Sequence, residues 1–210
     1  MIELQTHPID TPLTGQSKWW GEPDMPEQLD WPDVTVTDED GETYQDPLTF
    51  VCQIRCEDIA ALDPEGLLPH EGMLYFFAAL DYFLGTLDTP AYPGLGLWQP
   101  EYFRVLYSPS CADLHTHHLR YPDGTPATLP AEAITFSTCC ENPDGLRLLG
   151  QPYIEEVREA RPGALSLLQI DGEDRWNLIF HDCGTLNFLI RPEHLQHRYW
   201  DKVVCHLFSF

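Results

Sequence analysis

The chain has 210 residues, 43% of them apolar, and carries 34 acidic against 11 basic residues for a formal net charge of −23. That length and apolar content support one domain with a core of its own, and no apolar run approaches the ~20 residues a membrane-spanning helix needs. So negative a field argues against nucleic acid or an anionic membrane as partner, and it speeds encounter with basic proteins.

The charge is unevenly spread. Between Trp19 and Phe103 stand eighteen Asp or Glu and a single base, Arg55; from Arg104 onward there are fourteen acids and nine bases. The start, "MIELQTHPID", has neither a basic region nor an apolar run, so the sequence reads as cytoplasmic. The seven Cys are then expected as reduced thiols, several of them buried within apolar runs.

In chain order, the first distinctive stretch is "SKWWGEPDMPEQLDWP" (17–32), with three Trp, three Pro and four carboxylates. Proline excludes a helix or central strand here, so the stretch is expected to lie along the fold with Trp19 and Trp31 clamping an apolar face through their rings. The acidic run "DVTVTDEDGETYQD" (33–46) reads as an exposed hairpin turning at Asp40-Gly41. Apolar runs bounded by Gly and Pro predict strands near 48–54, 73–80, 103–107, 133–137, 164–170, 176–180, 185–190 and 203–208. Short helices are expected at 56–62, at 152–160 with Pro152 in the first turn, and at 191–200 with Pro192 at the start.

Three features recur in order. "PLTFVCQI" (47–54) matches "ALSLLQI" (164–170), "EGMLYFFAAL" (71–80) matches "CGTLNFLI" (183–190), and "YFRVLYS" (102–108) matches "KVVCHLFS" (202–209). The expectation is an internal duplication, with repeats over roughly 47–108 and 164–209. The fold class that follows is α+β: sheet-rich, mostly antiparallel, two pseudo-symmetric halves and few short helices, in a single domain over 1–210. Symmetry within one chain gives no argument for a dimer, and the oligomeric state stays open.

Motifs that carry chemistry are scarce. There is no phosphate-binding Gly-x-x-x-x-Gly-Lys-Ser/Thr and no Gly-x-Ser-x-Gly elbow. "CADLHTHH" places Cys111, His115, His117 and His118 within eight residues, but the spacing matches no paired zinc knuckle, so polar loop histidines are preferred to a metal site. Cys139-Cys140 is a vicinal pair whose reactivity would need a lowered thiol pKa. "HDCG" (181–184) reads as a turn. The run Asp38, Glu39, Asp40, Glu42 lacks the twelve-residue spacing of a calcium loop. No cofactor is implied.

The ordered set Ser17, Lys18, Gly21, Pro23, Pro26, Trp31 and Pro32, followed by "PLTFVCQI", "LLPHEGMLYFF", "FRVLYS", "LLGQPYIEEV", "LSLLQID" and "DCGTLNFLIRPEHL", resembles the YwqG-like family, a bacterial family of unassigned biochemical function. The resemblance covers nearly the whole chain; Trp20 departs from it, as does the long acidic insert after Trp31. It implies a sheet-rich α+β fold of two similar halves. It also implies an accessory role, since some members are encoded near secreted toxins, and it supplies no catalytic residues.

Two functions are therefore expected. The first is a non-enzymatic immunity or antitoxin-like protein that sequesters a basic toxin or effector, through Asp38, Glu39, Asp40, Glu42 and Asp46 with Trp19 or Trp20 as anchors. The alternative is an enzyme or small-molecule sensor with a pocket between the halves, lined by Gln53, Tyr75, Gln169 and Asn187.

Overall fold

The computed structural model describes residues 1–38, 40–85, 91–138 and 143–210. Its strands are β1 (Ile2–Pro8), β2 (Lys18–Trp19), β3 (Asp24–Pro26), β4 (Asp33–Thr37), β5 (Thr43–Pro47), β6 (Thr49–Arg55), β7 (Met73–Ala78), β8 (Gly96–Leu97), β9 (Phe103–Ser108), β10 (Leu114–Thr116), β11 (Glu132–Ser137), β12 (Arg147–Gly150), β13 (Leu165–Asp171), β14 (Gly184–Ile190) and β15 (Val204–Ser209). The helices are short: α1 (Cys56–Ile59), α2 (Asp81–Leu84), α3 (Glu155–Ala160) and α4 (Pro192–Gln196).

Among the described residues eleven strands form one sheet in the order β8-β15-β14-β13-β12-β1-β11-β2-β6-β7-β9, antiparallel at every pair. The pairs β10-β3 and β4-β5 stand apart as small two-stranded sheets. The large sheet curls on itself, so that residues from both of its arms share one core. Phe76 of β7 and Phe103 of β9 meet Phe188 of β14 edge to face, with centroids 5.4 and 6.2 Å apart. β7 and β14 are buried along their whole length. β7 therefore reads as an unbroken apolar run rather than an alternation, because both of its faces are covered, and β14 departs from such a run at the buried Thr185 and Asn187.

The two arms pair in corresponding register. Gln53 of β6 faces Tyr75 of β7, which faces Leu106 of β9; Gln169 of β13 faces Asn187 of β14, which faces His206 of β15. Both arms carry an irregularity at the same place, between Phe50 and Cys52 in β6 and between Ser166 and Leu168 in β13. Lys18 and Arg147 enter opposite Gln53 and Gln169, and each is followed two residues later by a residue of positive φ, Trp20 and Leu149. The arms join through β1 and β11, where Gln5 faces Thr135.

Several expectations need correction. Residues 176–180 do not form a strand. A 3-10 turn over Asp174–Trp176 ends in left-handed Asn177, whose N–H bonds to the Asp174 carbonyl, and only an isolated bridge joins Glu173 to Leu178. The helix expected from Pro152 starts at Glu155; Pro152 precedes the extended cap residue Ile154, and its carbonyl accepts a hydrogen bond from Arg158 instead. β1 went unread in the sequence although Ile2 and Leu4 alternate with Glu3 and Gln5. No helix of the described residues is long and apolar enough to cross a membrane.

Candidate functional site

The Trp- and Pro-rich segment is built around a buried ion pair. Asp24 is wholly buried and Lys18 is 5% exposed; Lys18 Nζ donates to Asp24 Oδ2 at 2.8 Å. The same oxygen accepts from the Gly15 N–H at 2.9 Å and from the Gln53 amide at 3.1 Å, while Oδ1 accepts from the Thr116 hydroxyl at 2.7 Å. The Asp24 N–H donates to Gln53 Oε1, and the Tyr75 hydroxyl donates to the Asp24 carbonyl. Burial pushes the Asp24 carboxyl up, but Lys18, Thr116 and Gly15 together hold it below the usual range. Every donor here is aimed at a group of the protein itself, so this cluster anchors the segment to β6, β7 and β10 rather than presenting chemistry to solvent.

Trp19 and Trp20 join the same interior. Trp19 stacks on Trp176 with centroids 5.7 Å apart, and Trp20 meets Trp176 edge-on at 5.3 Å. Their exposures of 0% and 1% remove both as surface anchors for a partner. Their indole N–H groups have no hydrogen-bond partner among the described residues, and burial of the rings dominates. Trp31 behaves as expected, donating from Nε1 to the Leu48 carbonyl at 2.7 Å and meeting Phe50 and Phe77 edge to face.

The acidic run forms the hairpin β4–β5, registered from Asp33 opposite Pro47 to Thr37 opposite Thr43. Val34 seats it on the core, and its tip projects: Asp38 Oδ1 accepts from the Asp40 and Glu42 N–H groups at 3.0 and 2.8 Å, closing the turn. Asp40 and Glu42 are exposed. Glu39, like Cys139 and Cys140, lies outside the described residues.

Asp46, at the base of the hairpin, belongs to a different feature. It lines a cleft of about 380 Å³ together with Asp81 at the start of α2. The walls are Trp31, Leu48, Phe50 and Leu84 on one side and Leu119, Tyr121 and Leu129 of the 117–131 loop on the other. Thr49 donates its hydroxyl to Asp81 Oδ1 at 2.7 Å. Burial pushes both carboxyls above the usual range, and the charge of Asp81 adds to the rise at Asp46. Arg120 reaches the rim, where it is engaged by the Glu22 carboxylate and lies 3.1 Å from His118 Nδ1. Sequence reading singled out Asp46 but not Asp81; an isolated Asp opening a four-residue helix carries no signal, and only the fold brings the two together.

The expected pocket between the halves is not assembled. Gln53 and Tyr75 are buried in the Asp24 network, whereas Gln169 donates to the Pro143 and Gly145 carbonyls and Asn187 to Thr185. These four are two cross-strand pairs, each buried within its own arm, and they line none of the larger clefts. The histidine cluster is likewise dispersed. His115 is exposed on β10, His118 pairs with Glu22 at 2.8 Å, and Cys111 packs toward the core around Phe77. Among the described residues no group of three or more His, Cys, Asp or Glu is placed to hold a metal ion.

A family model described as a domain of unknown function, DUF1963, matches residues 17–146 and 138–207. No curated protein matches the chain. By the extent of that match, the chain belongs to the DUF1963 family.

Proposed function

We propose that this member of the DUF1963 family is a non-enzymatic binding protein that captures a basic protein through its acidic N-terminal half. The single observation that carries the reading is the eighteen-to-one excess of acids over bases between Trp19 and Phe103, part of it displayed on a projecting hairpin tip. Such a field raises association rates with a cationic partner and makes them fall steeply with salt. The residues in contact are Asp38, Glu39, Asp40 and Glu42, with Asp46 behind them; Trp19 and Trp20 have no part in it. The likeness to YwqG-like proteins supports an immunity or antitoxin-like role, in which the partner is a basic toxin or effector. The corresponding registers of the two arms support descent by internal duplication.

The test is capture from the source lysate on immobilised protein, identification of what is retained, and association kinetics with that purified partner across a salt series. Reversal of the tip (Asp38→Lys, Asp40→Lys, Glu42→Lys) is expected to slow association at least tenfold at low salt and to flatten the salt dependence. An unchanged rate and slope in the reversed variant would sink the mapping.

A further inference from the structure

The hairpin β4–β5 stands apart from the large sheet, and β5 has no second neighbour among the described residues. In an antiparallel ladder, pairs that exchange backbone hydrogen bonds alternate with pairs that do not. The Leu48 N–H donates to the Pro32 carbonyl and the Asp38 N–H to the Glu42 carbonyl, each at 2.9 Å. The bonded pairs between these ends are therefore Val34–Asp46 and Val36–Tyr44. Thr43 and Gln45 turn their N–H and C=O groups the other way, outward along the free edge, and both residues are exposed. The opposite edge of the hairpin, along β4, lies against the turn at Pro100–Tyr102. An open edge of this kind is a template for one more strand.

Charge selects the strand. Side chains alternate along β5, so Tyr44 and Asp46 share one face, and Glu42 continues it toward the tip. An antiparallel neighbour sets its own side chains roughly 5 Å from these three. Acids at both ends of that face favour a base two residues to either side of an apolar residue, which lies beside Tyr44. A second copy of this chain would bring its own Glu42 and Asp46 to the same place and be opposed by like charge. Pro47 has no N–H to offer, so it bounds the added ladder at the base of the hairpin. We propose that the free edge of β5 binds an extended basic segment of the partner as an added antiparallel strand. This rests on the proposed capture function and deepens it: the acidic field gathers the partner, and the backbone edge fixes its conformation and register.

The experiment titrates the intact protein by NMR at low salt and pH 7 with the peptide acetyl-Gly-Lys-Thr-Val-Thr-Lys-Gly-amide. Its two Thr then stand opposite Thr43 and Gln45, and its two Lys opposite Glu42 and Asp46. Saturable binding on the order of 1 mM is expected for so short a strand. The Thr43 and Gln45 amide protons should move downfield and exchange more slowly, while those of Tyr44 and Asp46, already bonded to β4, change less. The same peptide N-methylated at both Thr keeps its sequence and charge but loses the donors that face β5, and is expected to bind roughly tenfold more weakly. Gln45→Pro removes an outward N–H and leaves the bonds to β4, so it should weaken binding by about fivefold or more. Gln45→Ala, which also loses the side-chain contact with Thr35, should stay within about twofold of wild type. The N-methylated peptide tests the same bonds on the unaltered protein, so the outcome does not depend on the proline variant folding. Equal binding of the N-methylated peptide, or unmoved Thr43 and Gln45 amides at saturation, would overturn strand addition while leaving capture by charge in place. Absence of saturation to about 20 mM would overturn it too. A dimer of the free protein that Gln45→Pro dissociates in sedimentation would assign the edge to a second copy and overturn it as well. Equal binding of a peptide with Gln in place of both Lys, with the N-methyl effect retained, would overturn the basic character of the strand and remove the capture function with it.

Discussion

Substituting Lys18→Met tests whether the N-terminal segment is held by its buried ion pair. Methionine keeps much of the apolar stem and deletes the charge. The Asp24 carboxylate, wholly buried, would keep the Gly15 N–H, the Gln53 amide and the Thr116 hydroxyl as donors but lose the ammonium that balances it. Removing one member of a buried pair costs about 3–5 kcal/mol, because the survivor stays desolvated and uncompensated. For a chain of this size each kcal/mol moves the midpoint by roughly 2–4 °C, so a drop on the order of 6–20 °C is expected. Urea unfolding at pH 7 measures the loss directly, provided the slope with denaturant is unchanged. The pH dependence adds a second reading. In the wild type, Asp24 lies below its ordinary range, so it contributes stability above pH ~4 that is lost as pH falls through its folded pKa. In Lys18→Met burial is no longer opposed by the ammonium and the carboxyl rises, so the deficit should be largest at neutral pH and shrink toward pH ~4. Adding Asp24→Asn to Lys18→Met should recover part of the loss, since the uncompensated charge goes with it. A loss below about 1 kcal/mol at pH 7 would show the pair to be worth no more than an exposed one and would refute the reasoning.

Two further substitutions probe other parts of the fold. Gly21 has φ +78°, and a Cβ there would lie 2.6 Å from the Ala131 Cβ; Gly21→Ala should therefore cost on the order of 2–3 kcal/mol in urea unfolding, and Ala131→Gly in the same chain should recover part of it by removing the clash while the strain at φ remains. Burial pushes Asp171 up to about 6, its Oδ1 has no hydrogen-bond partner among the described residues, and the nearby Asp144 adds to the rise. Its folded pKa thus lies above the unfolded value, and the protein loses stability as pH rises between about 4 and about 6. Asp171→Asn should be more stable than wild type at pH 8 by on the order of 1–3 kcal/mol and nearly equal to it at pH 4; thermal melts that show the same gap at both pH values would contradict this.

The candidate site was legible only in part. Asp46 stood out because it closes an acidic run, and the hairpin was readable from its alternation and its Asp40-Gly41 turn. Asp81 was not readable, because its relation to Asp46 runs through the pairing of β6 with β7, which carries α2 back to the hairpin base. Trp19 is the buried clamp its setting suggested, but the alternative use of Trp19 or Trp20 as a surface anchor fails for a similar reason. Proline excluded a helix around them but not a central strand, since Lys18–Trp19 is β2 between β11 and β6, and whether a Trp faces water or Trp176 depends on where residues more than 150 positions away fold back. The histidines of "CADLHTHH" share a sequence neighbourhood, yet β10 alternates its faces and its Thr116, not a histidine, reaches Asp24.

The sequence by itself determined the elements that local chemistry controls. Apolar runs between Gly and Pro became β6, β7, β13, β14 and β15, the acidic run became a hairpin, and the ordered likeness of the two runs of strands foreshadowed their common register. Tertiary structure decided what depends on partners distant in the chain. Examples are the joining of the arms through β1 and β11, the enclosure of Lys18 with Asp24, and the meeting of Asp46 with Asp81. Strand formation follows from the period of a few neighbouring residues, whereas burial and charge pairing are set by which strands become neighbours in the curled sheet, a relation that no local pattern encodes.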